Sequence, residues 1–359
     1  MSALFPDDAS CLVTGGAGFI GCALAPHLLG CFDQVVVLDS LHPQVHPRRI
    51  RPDALPEQVH FIEGDVTVPT AWDALLVRHS PTLVVHLAAE TGTGQSLTAA
   101  HRHAEVNVAG LACMLDAMVR HDKLPRRIVL ASSRAVYGEG AWQGPEGIVY
   151  PGQRTKAQLE KGQWDFPGLE PLPFMANKTQ PHPTSIYGIT KLAQEQVLAV
   201  WGEAMGVEVG ILRLQNVYGP GQSLSNPYTG VVSTFATLAA AHKSIPVYED
   251  GHITRDFVFI DDVAAALRAV ITRTELPPHP LDVGSGQAVT IAEVAARIAR
   301  RYGAPEPHIN GAFRHGDVRH AACELAPTMA ALDWRPQVFV EEGLERFCQW
   351  VDQQRQKAS

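Results

Sequence analysis

The chain has 359 residues, 46% of them hydrophobic, and a net charge of −8 from 29 basic and 37 acidic side chains. That length can bury a full core and suggests roughly two domains. The acidic balance gives no electrostatic reason to expect nucleic acid or an anionic membrane surface as partner, and no stretch approaches the roughly 18 apolar residues of a membrane span.

The opening "MSALFPDDAS" carries two acids and lacks the pattern of a secretory leader. In chain order, "SCLVTG", "QVVVLDS", "VHFIEGD", "TLVVHLAA" and "RRIVLASS" predict buried strands. The segments "GCALAPHLLG", "TAWDALLVRH" and "EVNVAGLACMLDAMVRH" predict helices between them. Continuous apolar strands alternating with helices imply an α/β fold with a doubly wound parallel sheet of Rossmann type. From Gly138 to Thr184 the periodicity is lost, yet Trp142, Trp164, Phe166 and Phe174 favour an ordered insertion over 139–184. "EVGILRLQNVYG" predicts a sixth strand, and "DFVFIDDVAAALRAVI" a strand followed by a helix. Short strands and amphipathic helices such as "TIAEVAARIARRYG" predict a smaller C-terminal α/β lobe. The expected division is a nucleotide-binding domain at 1–216 with about 253–280, and a second lobe at 217–252 and 281–359. Six scattered cysteines with no C-x-x-C pair indicate reduced thiols and a cytoplasmic protein. The 16 histidines form no H-E-x-x-H or compact Cys/His cluster, so no metal is expected.

"CLVTGGAGFIG" places Gly15, Gly18 and Gly21 directly after a strand and at the start of a helix. Glycine there permits a tight turn and close approach of backbone to a pyrophosphate, which the helix N-terminus then attracts. Asp39 ends the second strand, where its carboxylate would accept hydrogen bonds from ribose hydroxyls and repel a 2′-phosphate. The expected cofactor is therefore NAD. Asp65, after the third strand, is placed to reach the adenine or to serve as a plain turn residue.

The fifth strand ends in Ser132 and Ser133, and ligands of open α/β sheets lie beyond the carboxyl ends of strands. Tyr187 opens a later helix in "HPTSIYGITKLAQEQ", with Lys191 one turn along on the same face. A phenol titrates near about 10 in water, too high for a base at neutral pH. An ammonium at roughly 4 Å in a partly buried site is worth about 4 kcal/mol, or some 3 pKa units. With that help a tyrosinate can take a proton from a substrate hydroxyl.

The glycine pattern, Asn107 in "NVAG", the serine motif, Tyr187-x-x-x-Lys191, "RLQNVYGPGQ", "RDFVFIDDV" and "LDWRPQVFVEEGL" together resemble the extended short-chain dehydrogenase/reductase family. Within it the chain is similar to nucleotide-sugar epimerases and dehydratases. The resemblance implies a catalytic Ser133, Tyr187 and Lys191, with Ser133 bonding the reacting oxygen and Lys191 lowering the tyrosine pKa and holding the nicotinamide ribose. It implies that Gly15, Gly18, Phe19, Ile20, Asp39, Asp65, Val66, Leu87, Ala88, Ala89, Asn107 and Ser132 hold NAD along with Tyr187 and Lys191. Thr91, Thr93, Gln95, Ser133, Arg134 and Asn216 would bind the sugar nucleotide, and Arg255 and Arg319 would clamp its diphosphate with guanidinium forks. A homodimer packed through the 98–121 helix and the Tyr187 helix is also implied, although apolar faces there could equally pack internally.

Dehydratases of the family carry an Asp-Glu pair directly after the serine or threonine of this motif. Here Arg134 and Ala135 stand there, and neither can expel a hydroxyl or remove a ring proton. Epimerisation at C4 through a 4-keto sugar is the simplest remaining outcome. "AAETGTGQS" and the long insertion resemble a bacterial subgroup acting on dTDP-L-rhamnose, so the expected substrate is a dTDP- or UDP-sugar. UDP-hexose or UDP-N-acetylhexosamine epimerisation, dehydration, reduction and a catalytically silent NAD-binding scaffold are the alternatives.

Overall fold

A computed structural model describes residues 5–6, 8–224, 226 and 230–358; the first four residues of the opening stretch lie outside them. The strands in chain order are β1 (Ser10–Thr14), β2 (Gln34–Asp39), β3 (His60–Glu63), β4 (Leu83–His86), β5 (Arg127–Ser133), β6 (Trp142–Gly144), β7 (Gly147–Val149), β8 (Glu170–Pro171), β9 (Glu208–Leu214), β10 (Asn216–Tyr218), β11 (Pro246–Val247), β12 (Thr254–Phe259), β13 (Leu281–Val283), β14 (Ala288–Thr290), β15 (His308–Ile309) and β16 (His320–Ala321). Seven of them form one parallel sheet in the order β3-β2-β1-β4-β5-β9-β13. The order reverses between β1 and β4, which opens a crevice at their carboxyl ends.

The helices are α1 (Phe19–Leu29), α2 (Pro69–Arg78), α3 (Thr93–Ser96), α4 (Ala100–Ala104), α5 (Gly110–Arg120), α6 (Lys156–Glu160), α7 (Ile186–Met205), α8 (Val231–Ala240), α9 (Ile260–Thr272), α10 (Ile291–Tyr302), α11 (Ala326–Leu332) and α12 (Val340–Ala358). Alternate strand residues feed two cores, one on each face of the sheet. Val13, Val37, Val85 and Val129 pack with Leu24 and Leu28 of α1 and Leu267 and Val270 of α9. Leu12, Val36, Val84 and Ile128 pack with Trp72 of α2, Met114 of α5 and Leu198 of α7. A sheet buried on both faces needs apolar side chains at every position, which is why these strands read as unbroken apolar runs.

The C-terminal lobe has a second sheet, in which β12 lies between β10 and β14 and also pairs with β16. Two expected boundaries need correction. β12 belongs to this sheet and not to the nucleotide-binding domain, whereas β13, expected in the second lobe, closes the central sheet beside β9. The run "EVGILRLQNVYG" is two strands, because the chain leaves the central sheet at Gln215 and joins β12 as β10. Apolar periodicity is the same in both sheets, so it cannot say which sheet a strand joins.

The 139–184 segment carries a small antiparallel sheet, β7-β6-β8, and the short helix α6, capped reciprocally by Thr155 and Gln158. Trp142 and Phe174 are fully buried, Phe174 stacking on Tyr137 with ring centroids 4.5 Å apart. Phe174 also exchanges backbone hydrogen bonds with Ala322 and Glu324, at 2.8 Å each, which ties the insertion to the C-terminal lobe.

Candidate active site

The glycine turn after β1 is built as its sequence requires. Gly15 has φ +68°, and a Cβ there would stand 2.7 Å from the Ala88 backbone. Gly18 precedes α1, leaving the first backbone N–H groups of Phe19 and Ile20 free of helical partners. Their side chains turn away into the apolar cores, so any contribution of these two residues to a ligand comes from the main chain.

Beyond this turn lies a cleft lined by Gly15, Gly18, Asp39, Asp65, Val66, Leu87, Ala88, Ala89 and Thr91, with Glu90 and Arg102 beside them. Asp39 is held by the N–H groups of Ala17 at 3.0 Å and Leu41 at 2.9 Å, which fixes its carboxylate at the cleft floor. Asp65 accepts from the Thr67 N–H and hydroxyl, both at 2.9 Å. A glycine cradle, a helix N-terminus and a rigid carboxylate one strand away fit a dinucleotide such as NAD. Beneath the cleft His86 is fully buried between Thr14, at 2.8 Å, and Gln194, at 3.2 Å. Burial, then the charge of Lys191, hold its pKa down at about 3, so the ring stays neutral.

Ser133 ends β5 and caps the single 3₁₀ turn Arg134–Tyr137, its hydroxyl accepting from the Ala135 N–H at 3.2 Å. Tyr187 sits in the first turn of α7, capped by Ser185. Gly188 lets that turn press against β5's end, since a Cβ there would meet the Ala135 carbonyl at 2.4 Å. The Ser133 hydroxyl and the Tyr187 phenol are thereby brought into one neighbourhood. Burial raises the Tyr187 pKa, and the nearby Ser133 hydroxyl and the Arg134 charge oppose it. Lys191 is buried, and its ammonium donates to the Ala131 carbonyl at 2.9 Å. Burial brings its pKa down to about 8 against the pull of Glu195. The sequence pairs the tyrosine with its lysine, whereas the cation that offsets the burial of Tyr187 in this structure is Arg134.

Two side chains expected at the cofactor are engaged elsewhere. Ser132 donates to Glu195, which in turn holds Arg213 at 2.6 Å, so its hydroxyl faces the interior. Asn107 is buried and clamps both backbone groups of Glu90, at 2.7 and 3.0 Å, and the Thr190 hydroxyl at 2.9 Å. It joins the end of β4 to α7 and acts on a ligand only through them. Of the residues expected at the sugar, Arg134 donates to Asn216 at 2.7 Å beside Ser133. Thr93 opens α3, and the Gln95 amide is taken up by Gln44.

Arg255 and Arg319 differ in kind. Arg255 is buried among backbone carbonyls, donating to Thr254 at 2.7 Å, and lies within the electrostatic reach of Arg134 and Asp317. The Arg319 guanidinium is fully taken by acids: Nε by Asp165 at 2.8 Å, Nη1 by Glu249 at 3.0 Å and Asp250 at 2.7 Å, Nη2 by Asp165 and Asp250. In this arrangement no donor of its fork is left to offer the diphosphate it is expected to clamp. Arg154, from the insertion, joins the same group through Glu139 at 3.1 Å and Glu249 at 2.9 Å. Sequence reasoning missed this network, as it missed His42 and Gln44, which line the cleft just after Asp39. The polar residues following an acid at a strand end were a usable signal for that pair. Buried ion pairs between residues 70 and 95 positions apart leave none.

Among the described residues no helix is long and apolar enough to cross a membrane, and no group of three or more His, Cys, Asp or Glu is placed to hold a metal ion. The chain is 55% identical to a dTDP-L-rhamnose 4-epimerase of Burkholderia thailandensis over 355 residues, covering 99% of this chain and 98% of that one. Among solved structures it is similar to an epimerase of Methanothermobacter thermautotrophicus, at 25% identity and a TM-score of 0.81, over 98% of this chain and 94% of that one. It is also similar to the UDP-glucose 4-epimerase of Thermus thermophilus in complex with NAD, at 28% identity and a TM-score of 0.76, over 96% and 99% of the two chains. The NAD dependent epimerase/dehydratase family matches residues 11–161 and 165–284, which together span most of the nucleotide cleft, the Ser133–Tyr187–Lys191 group and the central sheet, and the chain belongs to that family.

Proposed function

We propose that this protein is an NAD-dependent nucleotide-sugar 4-epimerase that interconverts dTDP-L-rhamnose and dTDP-6-deoxy-L-talose. The observation that carries the reaction type is the placing of Ser133 beside Tyr187 with Arg134 and Ala135 directly after the serine, a pair without a neighbouring acid and base for dehydration. The 55% identity to the Burkholderia thailandensis enzyme supports the sugar.

NAD, when bound, supplies an acceptor and then a donor of hydride, which lets C4 pass through a ketone. Its adenosine ribose falls to Asp39, its pyrophosphate to the Gly15–Gly18 turn and the start of α1, and its nicotinamide ribose to Lys191. Tyr187 takes the C4 hydroxyl proton as the carbon is oxidised and returns it when the carbon is reduced. Ser133 holds the C4 oxygen in line with the phenol in both directions. Arg134 supports the phenolate and, with Asn216, faces the sugar nucleotide, whose diphosphate Arg255 would neutralise. Thr91 and Thr93 offer hydroxyls to a sugar that must present both faces of C4. Asn107 acts here as a positioning residue.

The exposed Val119 of α5 and Ile189 and Val200 of α7 support a homodimer through those helices, with equilibrium sedimentation as its test. Free cysteines and a charged nucleotide-sugar substrate fit a cytoplasmic site of action. The deciding assay is proton NMR of the purified protein with dTDP-L-rhamnose and no added cofactor. A second 6-deoxy sugar nucleotide appearing to equilibrium, with no net NADH, is the expected result. An unchanged spectrum would overturn the substrate assignment and direct the assay to UDP-hexoses and UDP-N-acetylhexosamines. Accumulation of a dehydrated keto sugar would overturn the reaction type.

A further inference from the structure

Three amide side chains meet across the mouth of the nucleotide cleft. Gln44, in the loop after β2, donates to Gln95 Oε1 at 3.0 Å, and Gln95 donates back to Gln44 Oε1 at 3.0 Å. The same Gln44 nitrogen reaches Asn226 Oδ1 at 3.2 Å. Gln44 stands 51 residues from Gln95 and 182 from Asn226, so three segments that share no secondary structure are joined at this one point. Gln44 and Asn226 line the cleft together with Asp39, Gly15 and Gly18, while Gln95 closes the pair from α3.

A reciprocal amide pair satisfies one donor and one acceptor on each side and is directional. It rests on polar groups at a half-open surface and not on apolar packing, so it can open and close at little cost. We propose that Gln44, Gln95 and Asn226 form a strap that closes over the dinucleotide and slows its release. The inference rests on the reading of this cleft as the NAD site, and it gives Gln95 a task other than sugar binding. The chemistry demands such retention: a ketone made by one cofactor molecule can be reduced only by that same molecule, and its loss mid-cycle strands the intermediate.

The test is exchange of bound NAD against isotopically labelled NAD, followed by mass spectrometry on the full-length holoenzyme without sugar present. Gln44→Met and Gln95→Met, similar in size but lacking the amide, should each speed exchange, Gln95→Met roughly tenfold for two lost neutral hydrogen bonds and Gln44→Met further for three. The double variant should exchange no faster than Gln44→Met, because every bond of Gln95 in the strap is made to Gln44. Exchange rates equal to wild type in both single variants would overturn the strap, and so would rates that simply multiply in the double variant. A purified wild-type chain that carries no NAD by mass spectrometry and takes up none would instead overturn the cofactor reading on which the strap depends.

Discussion

Two regions of the molecule are built in opposite ways. At the nucleotide cleft, Gly15, Gly18 and Asp39 lie within 25 consecutive residues of one strand–turn–helix–strand unit, and each is held by its own neighbourhood. Where the insertion meets the C-terminal lobe, buried Glu139, Arg154, Glu249 and Arg319 join the more exposed Asp165 and Asp250 in one ionic group. The first region owes its shape to local backbone geometry. The second owes its shape to charges that are tolerable only together, since a buried ion without its partner is strongly destabilising. Local construction lets a site be exchanged among proteins with its motif intact, whereas a distributed one is specific to the whole chain.

The largest expected effect is that of Tyr187→Phe, which spares the nucleotide cleft. Turnover should fall by about 10³-fold, within the range of a lost general acid–base group, while NAD uptake is retained. Undiminished turnover would remove the tyrosine from the chemistry. Arg319→Met should cost about 1–3 kcal/mol in urea unfolding, because buried Glu249 keeps only Arg154 while Asp165 and Asp250 can turn to water. Full stability with a raised KM for the sugar nucleotide would instead return Arg319 to the diphosphate role its sequence position suggests.

Gly15→Ala tests the locally built region. Its positive φ and the 2.7 Å approach to Ala88 predict a loss of about 1–3 kcal/mol, seen both in unfolding and in NAD affinity. The smallest expected effect concerns His86. Its folded pKa of about 3 lies below the ordinary 6.5, so between those values the unfolded chain binds a proton that the folded chain excludes. Stability is therefore full well above pH 6.5 and falls on acidification, by about 1 kcal/mol between pH 6.5 and 5.5. His86→Gln should flatten this slope between pH 6.5 and 5.5, and an unchanged slope would mean that other groups carry it.

Much of this was legible beforehand, and the residues show why. Strand positions such as Val35–Leu38 are apolar at every step because both faces of the sheet are covered, a condition that composition and period report directly. Gly15 was legible because only its residue type fits the turn. Tyr187 and Lys191 were legible as a pair because one helical turn places them on a common face. The acid partners of Arg319 were not legible, because an arginine after a glycine-containing loop looks the same whether its fork meets a ligand or three acids. Nor were those of Asn107 and Ser132, their partners Glu90, Thr190 and Glu195 being set by how α7 packs on the sheet.

The order of residues thus determined the sheet, the glycine turn, the cofactor class and the helical spacing of Tyr187 and Lys191, since each follows from short-range geometry and from the periodic burial of side chains. Tertiary structure alone decided that β12 leaves the central sheet and β13 joins it. It also decided that Arg134 is the cation opposing the burial of Tyr187, and that Arg319 is spent on Asp165, Glu249 and Asp250. The reason is that hydrogen bonds and ion pairs act over a few ångströms of space, and the chain brings distant residues within that range only once it has folded.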